Sequence, residues 1–277
     1  MAEPALEVRR IDSRPPGLAE AAQALWRFRD LLWILARRDL AVRYKQTALG
    51  VLWVLLQPLL MMALFTLFFG RLAGVPSDGL PYPVFVLCGL VPWQLFAFAL
   101  TQSSNSLVEN ERLISKAGFP RILLPLATTL VGVVDFAVAF ALLLAAVAVL
   151  GLPLTAKLAF VPLLVAFALA AALAAGLWLS ALNVEYRDVR YALPFVAQVA
   201  LFASPVAYPS SLVPEAWRWL YGLNPMAGVI DGFRWAVGGG PAPDAGLLAS
   251  SAAVTVAGLA LATLYFERRE RSFADTL

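Results

Sequence analysis

A chain of 277 residues that is 61% hydrophobic and only 14% charged cannot cover its apolar surface with its own polar side chains. A soluble fold is excluded, and lipid must be the solvent for much of the chain. The net charge of +3 is modest, so the placement of Lys and Arg says more than their total.

Cys88 is the one cysteine and histidine is absent. No intramolecular disulfide can form, and the commonest general base and metal ligand is missing, which counts against an enzyme. Residues 1–17 carry Arg9, Arg10 and Arg14 ahead of Pro15-Pro16-Gly17 and read as a mobile lead. The residues before Val51 hold many charges and no short apolar core with a small-residue cleavage site, so no signal peptide is expected. Over 18–50, Leu25, Phe28, Leu32, Leu35, Leu40 and Tyr44 recur with Arg27, Arg37, Arg38 and Arg43 between them. That spacing predicts an amphipathic helix in the membrane interface, with Trp26 and Trp33 at headgroup level. The alternative is a solvated helix leading into a span.

A single transmembrane domain follows over 51–266. Six charge-poor stretches come close to the ~20 residues of a spanning helix: 51–70, 83–103, 122–150, 158–182, 191–206 and 245–266. The fifth is short, and charge-free sequence continues to Pro214. With both termini in the cytoplasm, seventeen Lys and Arg fall inside and four outside, namely Arg71, Lys157, Arg218 and Arg234. That bias fits the positive-inside rule and leaves 267–277 as a cytoplasmic tail. The expected fold class is an all-α membrane protein with six spans.

Between the second and third spans, Ser106 and Glu109 have capping-box spacing, and Gly118 and Pro120 would end a helix over 106–118. Leu107, Val108, Leu113 and Ile114, set among Glu109, Asn110, Glu111 and Arg112, suit docking into a groove of a soluble partner or a plain polar connector. The next inner loop carries Glu185, Arg187, Asp188 and Arg190, either a self-compensating ion-pair cluster or a partner contact. Residues 207–240 hold Trp217, Trp219, Tyr221, Phe233 and Trp235, broken by Pro209, Pro214 and Pro225. They are too apolar for a free loop and too interrupted for a span, so short re-entrant helices in the outer leaflet are expected. Asp231 and Arg234 can pair at i,i+3, or act with Trp217, Trp219 and Tyr221 as an outer gate.

Asp135 is the one ionisable residue deep in a span. Without a second acid or a histidine nearby, a proton relay is disfavoured. A structural role is expected, accepting hydrogen bonds from Ser, Thr or backbone donors. Phe65, Phe68, Phe69, Trp93, Phe96, Phe98, Phe202 and Tyr208 crowd the outward halves of the spans. They pack, face lipid, or offer rings on which sugars stack.

The run Arg43-Tyr44-Lys45-Gln46-Thr47-Ala48-Leu49-Gly50-Val51-Leu52-Trp53-Val54-Leu55-Leu56-Gln57-Pro58-Leu59 resembles the signature with which permease subunits of type-2 ABC exporters enter the bilayer. Lys116-Ala117-Gly118-Phe119-Pro120-Arg121, Asn183-Val184-Glu185-Tyr186-Arg187-Asp188-Val189, Ser204-Pro205-Val206-Ala207-Tyr208 and Leu223-Asn224-Pro225-Met226-Ala227-Gly228-Val229-Ile230-Asp231-Gly232-Phe233-Arg234 are similar to that family's polysaccharide branch, which exports O-antigen, capsule or teichoic acid. The resemblance covers most of Arg37–Trp235. It implies that 106–118 is a coupling helix inserted into a nucleotide-binding subunit, and it favours the aromatic rings as the lining of a glycan channel.

No Gly-x-x-x-x-Gly-Lys-Ser/Thr loop is present, so ATP and magnesium belong to a separate ATPase subunit and this chain carries no cofactor or metal. Six spans are half of the usual transporter complement. A homodimer with two ATPase copies is therefore implied, moving a lipid-linked polysaccharide across the bacterial inner membrane. Membrane lipid is the surrounding partner, and no nucleic acid is expected. The alternatives are a permease for a drug or small lipid, and a membrane-embedded transferase acting on a lipid-linked sugar. The transferase would need metal-binding or general-base carboxylates. Glu109/Glu111 and Glu185/Asp188 are interleaved with Arg and lack such spacing.

Overall fold

Pro83, Pro162 and Pro225 sit in first turns, whereas Pro58, Pro92 and Pro194 lie inside helices. The computed structural model describes residues 23, 25–45, 50–114, 118–270 and 273, and among these all regular structure is helical. The mobile lead, the stretch linking the first two helices, residues 115–117 and most of the C-terminal tail lie outside the described residues.

Helix α1 is Arg29–Tyr44, and α2 is Gly50–Phe65, continued by a wider turn over Thr66–Leu72. Helix α3 runs over Tyr82–Glu109, with Pro83 in its first turn, where the missing N–H costs nothing. A single turn, α4, covers Glu111–Ile114. Then come α5 (Leu123–Val149), α6 (Val161–Glu185) and α7 (Val189–Ala203). Two short helices, α8 (Glu215–Tyr221) and α9 (Pro225–Phe233), precede α10 (Ala245–Arg269). Local chemistry sets the last two starts. Asn224 Oδ1 accepts from the Met226 N–H at 3.0 Å ahead of Pro225, and Asp244 Oδ1 accepts from the Leu247 N–H at 2.9 Å.

Among the described residues, five helical stretches are long and apolar enough to cross a membrane: Leu52–Leu72, Tyr82–Glu109, Leu123–Val149, Ala156–Glu185 and Ala245–Glu270. The chain is a multi-pass membrane protein. The fifth expected span differs. Helix α7 has 15 residues, about 22 Å at ~1.5 Å per residue, short of the ~30 Å apolar core of a bilayer. Its backbone turns extended at Ser204.

Over the described residues 106–114, the single helix expected for 106–118 is divided between α3 and α4. Helix α3 continues to Glu109, and Ser106 Oγ donates to the Ser103 carbonyl at 2.7 Å instead of capping a new helix. Leu107 explains the extension. It is fully buried with Leu35, Leu123, Leu177 and Ile114, and this packing carries α3 a turn beyond its apolar run.

Helix α3 is the hub, packed on α5, α6 and α9. Against α6 the fit relies on small residues every fourth position, Ala168, Ala172, Gly176 and Ser180. A Cβ at Gly176 would lie 1.9 Å from Ser103 Oγ. By contrast, α2 and α7 leave Leu52, Trp53, Leu60, Leu64, Phe195, Val196 and Val199 exposed.

Ion pairs and hydrogen bonds sort the loops to two ends. Arg38 Nη2 of α1 donates to Asn110 Oδ1 at 2.8 Å, Arg121 N donates to Glu270 Oε1 at 2.8 Å, and Arg269 pairs with Glu185 at 2.5 Å. Helix α1, the α3–α5 and α6–α7 connections and the end of α10 therefore share one end. At the opposite end Ser211 Oγ donates to Asp78 Oδ1 at 2.8 Å and Tyr82 Oη to the Ala207 carbonyl at 2.6 Å.

Candidate functional site

A groove of about 1020 Å³ lies between α2, α3 and α5 and is closed at one end by the last residues of α1. Helical spacing builds it. Gln94, Phe98, Thr101 and Gln102 share one face of α3, Trp53, Gln57, Leu60 and Leu64 one face of α2, and Gly132, Asp135, Phe136 and Ala139 one face of α5. Aromatic rings and neutral amides thus stand next to one another along the wall, with Arg43, Tyr44, Thr101 and Asp135 among them. Gly132 lets the Phe98 ring lie directly against α5, since a Cβ there would meet Phe98 Cδ1 at 2.7 Å.

Asp135 does not bond to Ser, Thr or backbone groups as expected. Arg43 Nη2 donates to its Oδ2 at 2.5 Å, and the Tyr44 hydroxyl donates to Oδ1 in a short hydrogen bond. The Arg43 guanidinium also sits 4.5 Å from the Phe98 ring centroid. Burial, then the hydrogen bond to the Asp135 carboxylate, push the Tyr44 hydroxyl above its ordinary range, so it remains a donor.

The groove gathers Trp93 and Phe98 from the eight rings anticipated as a channel lining. Phe65 packs edge-on to Phe69 at 5.3 Å, and Phe96 packs beside Trp93, also at 5.3 Å. Phe68 and Phe202 are exposed away from it. Tyr208 lies at the opposite end, bonded to Tyr221 at 2.9 Å. Sequence reasoning missed Trp53, Phe136, Gln57, Gln94 and Gln102. Their signal was available: amides are costly inside apolar spans, and Gln94, Phe98, Thr101 and Gln102 recur at helical spacing.

The anticipated outer-gate residues divide. Arg234, 4% exposed, lies 3.6 Å from the Phe85 ring centroid and pairs with Asp231 at 3.4 Å. It also donates to the Pro205, Val206 and Tyr208 carbonyls at 2.5, 3.2 and 3.4 Å. Asp231 in turn accepts from Ser210 in a short hydrogen bond. This network holds the extended chain that follows α7. Trp217 and Trp219 stand exposed on α8, outside it.

At the α1 end, Glu185 pairs with Arg269 rather than with Arg187 or Arg190, and Asp188 precedes the first turn of α7. Glu111 and Arg112 are exposed in α4, Glu109 and Asn110 close α3, and Ile114 is buried. Leu113 is partly buried against the same cluster and Val108 is half-buried. Asn183, also missed from the sequence, donates to the Ser104 carbonyl and to Asn105 Oδ1, both at 3.1 Å, tying α6 to α3.

Residues 30–237, from the start of α1 to the turn after α9, match the family described as ABC-2 type transporter. The chain belongs to the ABC-2 transporter family. The matched range contains the groove, the α4 turn and the Arg234 network. This ABC-2 permease is 30% identical to the O-antigen export system permease protein RfbA of Myxococcus xanthus over 256 residues, 91% of this chain and 97% of that one. An O-antigen export system permease protein RfbA of Klebsiella pneumoniae is 30% identical over 208 residues, covering 74% and 79% of the two chains. The polysialic acid transport protein KpsM of Escherichia coli is 25% identical over 205 residues, covering 72% and 78%.

Proposed function

We propose that this permease is the membrane subunit of an ATP-driven exporter that moves a lipid-linked polysaccharide across the bacterial inner membrane. Two copies form the channel, and two copies of a separate ATPase dock at the end that carries α1 and α4. That end and both termini are cytoplasmic, α1 lies in the interface, α7 with its extended continuation makes the sixth crossing, and α8 and α9 dip into the outer leaflet.

The match to O-antigen export permeases along nearly the whole chain carries this reading. The groove supports it. Aromatic rings offer stacking faces to sugar C–H groups, and Gln57, Gln94 and Gln102 offer hydrogen bonds without a fixed charge that would hold a glycan in place. The exposed faces of α2 and α7 are apolar surfaces that a second copy would cover.

Deletion of the gene should remove polysaccharide from the cell surface and leave its lipid-linked form inside, with plasmid-borne wild type restoring display. Unchanged surface glycan, particularly with altered drug resistance, would replace polysaccharide by another cargo.

A further inference from the structure

The groove is amphipathic along its length. Its α1 end is polar, with Arg43, Tyr44 and Asp135, whereas the opposite end is walled by Leu60, Leu64 and Leu90. Two adjacent residues of α1 converge on the two oxygens of one α5 carboxylate. A cation and a hydroxyl aimed at neighbouring oxygens suit a phosphate as well as a carboxylate, because both present paired anionic acceptors.

The cluster is also open to exchange. Arg43 keeps 38% of its side chain exposed, so a ligand entering the groove can reach it. Phe98 supports the guanidinium from a second side, which holds the cation at the groove when Asp135 moves away. A soluble oxyanion would gain nothing from the far end walled by Leu60, Leu64 and Leu90, and a neutral lipid would gain nothing from Arg43. One occupant matches both halves: a lipid with a phosphate head at the α1 end and its tail along the groove.

We propose that Arg43 and Tyr44 bind the phosphate head of a lipid, and that Asp135 is a built-in competitor that occupies both donors until the lipid arrives. The inference rests on the export reading only in taking this lipid to be the anchor of the cargo. It assigns Asp135 a role opposite to that of a structural acceptor: removing its charge improves binding.

The full chain, purified in detergent, is titrated with dioleoyl phosphatidate, dioleoylglycerol and inorganic phosphate. Phosphatidate should bind at least about tenfold more tightly than either of the other two. Arg43→Gln should weaken phosphatidate about tenfold or more, the loss expected of one charged hydrogen bond. Asp135→Asn should strengthen it several-fold, a gain that misfolding cannot produce. Weaker binding by Asp135→Asn, equal affinity for dioleoylglycerol, or no lipid binding at all because a second copy covers the groove would each overturn the proposal. Surface glycan is scored separately in cells. Export that depends on the chain, without a gain in Asp135→Asn affinity, refutes the lipid site and leaves the export reading standing. Phosphatidate binding by a chain on which surface glycan does not depend does the reverse.

Discussion

Arg38 of α1 donates to Asn110 at 2.8 Å and so fastens α1 to the turn between α3 and α5. Five residues further along the same helix, Arg43 holds Asp135 of α5 at 2.5 Å. Helix α1 is therefore pinned at one point to the turn between α3 and α5 and at another to the wall of the groove. If that turn moves during transport, these two contacts give α1, as well as α3, a path to the groove.

Replacing either partner of the first contact should loosen that linkage without unfolding the protein. Arg38 is 41% exposed, so Arg38→Ala and Asn110→Ala should show a coupling energy of only about 0.5–1 kcal/mol in a double-mutant cycle on thermal stability. Export should fall further than stability, while ATP hydrolysis by the reconstituted complex persists. Wild-type export in both single variants would mean that α1 carries none of the motion.

Arg234 should behave differently because it is buried. Arg234→Met leaves Asp231 as an uncompensated buried charge and strips donors from the Pro205, Val206 and Tyr208 carbonyls. The expected cost is on the order of 3–5 kcal/mol. Asp231→Asn should cost less, since Arg234 keeps its three carbonyl acceptors. The double variant should recover part of the Arg234→Met loss. Melting in detergent would reveal the order, and an Asp231→Asn variant less stable than Arg234→Met would refute it.

Sequence patterning located the helices because apolar runs and charged breaks are local properties. Hydropathy and the positive-inside bias found Tyr82–Glu109 and Leu123–Val149 to within a few residues at most ends. What pattern could not supply was packing between distant segments. Burial of Leu107 under α1 and α6 decides that α3 runs past Ser106, and no spacing near Ser106 encodes that. Likewise Asp135 finds its donors on Arg43 and Tyr44, 92 and 91 residues away. The pairing of Asp231 with Arg234 was legible at i,i+3, yet the three carbonyls that Arg234 also holds became visible only in three dimensions. The groove was half legible: its polar residues keep helical spacing, but which rings face it depends on how α2 is placed against α3.

Sidedness can be read with cysteines in a Cys88→Ala background, although Cys88 is itself fully buried. Pro76 and Ala242 are exposed at one end, Glu111 and Arg187 at the other. If α1 lies on the cytoplasmic side, an impermeant thiol reagent added to intact cells should label Pro76→Cys and Ala242→Cys and spare Glu111→Cys and Arg187→Cys. Permeabilisation should make all four reactive. The reversed pattern in intact cells would invert the topology.

Trp53 offers the sharpest test of the groove as a sugar path. It is 58% exposed while lining the groove, whereas Trp93 is 5% exposed and buried in the core. Truncating Trp93 would therefore confound transport with stability, at a cost of about 3–5 kcal/mol. Trp53→Ala removes little packing, so its melting temperature should stay near that of wild type. If the indole supplies a stacking face, Trp53→Ala should slow glycan appearance at the surface several-fold, Trp53→Tyr should retain most of the rate, and Trp53→Leu should resemble Ala, because Leu replaces the bulk but not the ring. Leu52→Ala is the control: the neighbouring residue is 53% exposed but lies outside the groove, and its export should be unchanged. Rates are compared at equal membrane abundance by following newly made surface polysaccharide. Equal export by Trp53→Leu and wild type would show that the groove wall acts through shape alone, and the stacking account of transport would fall.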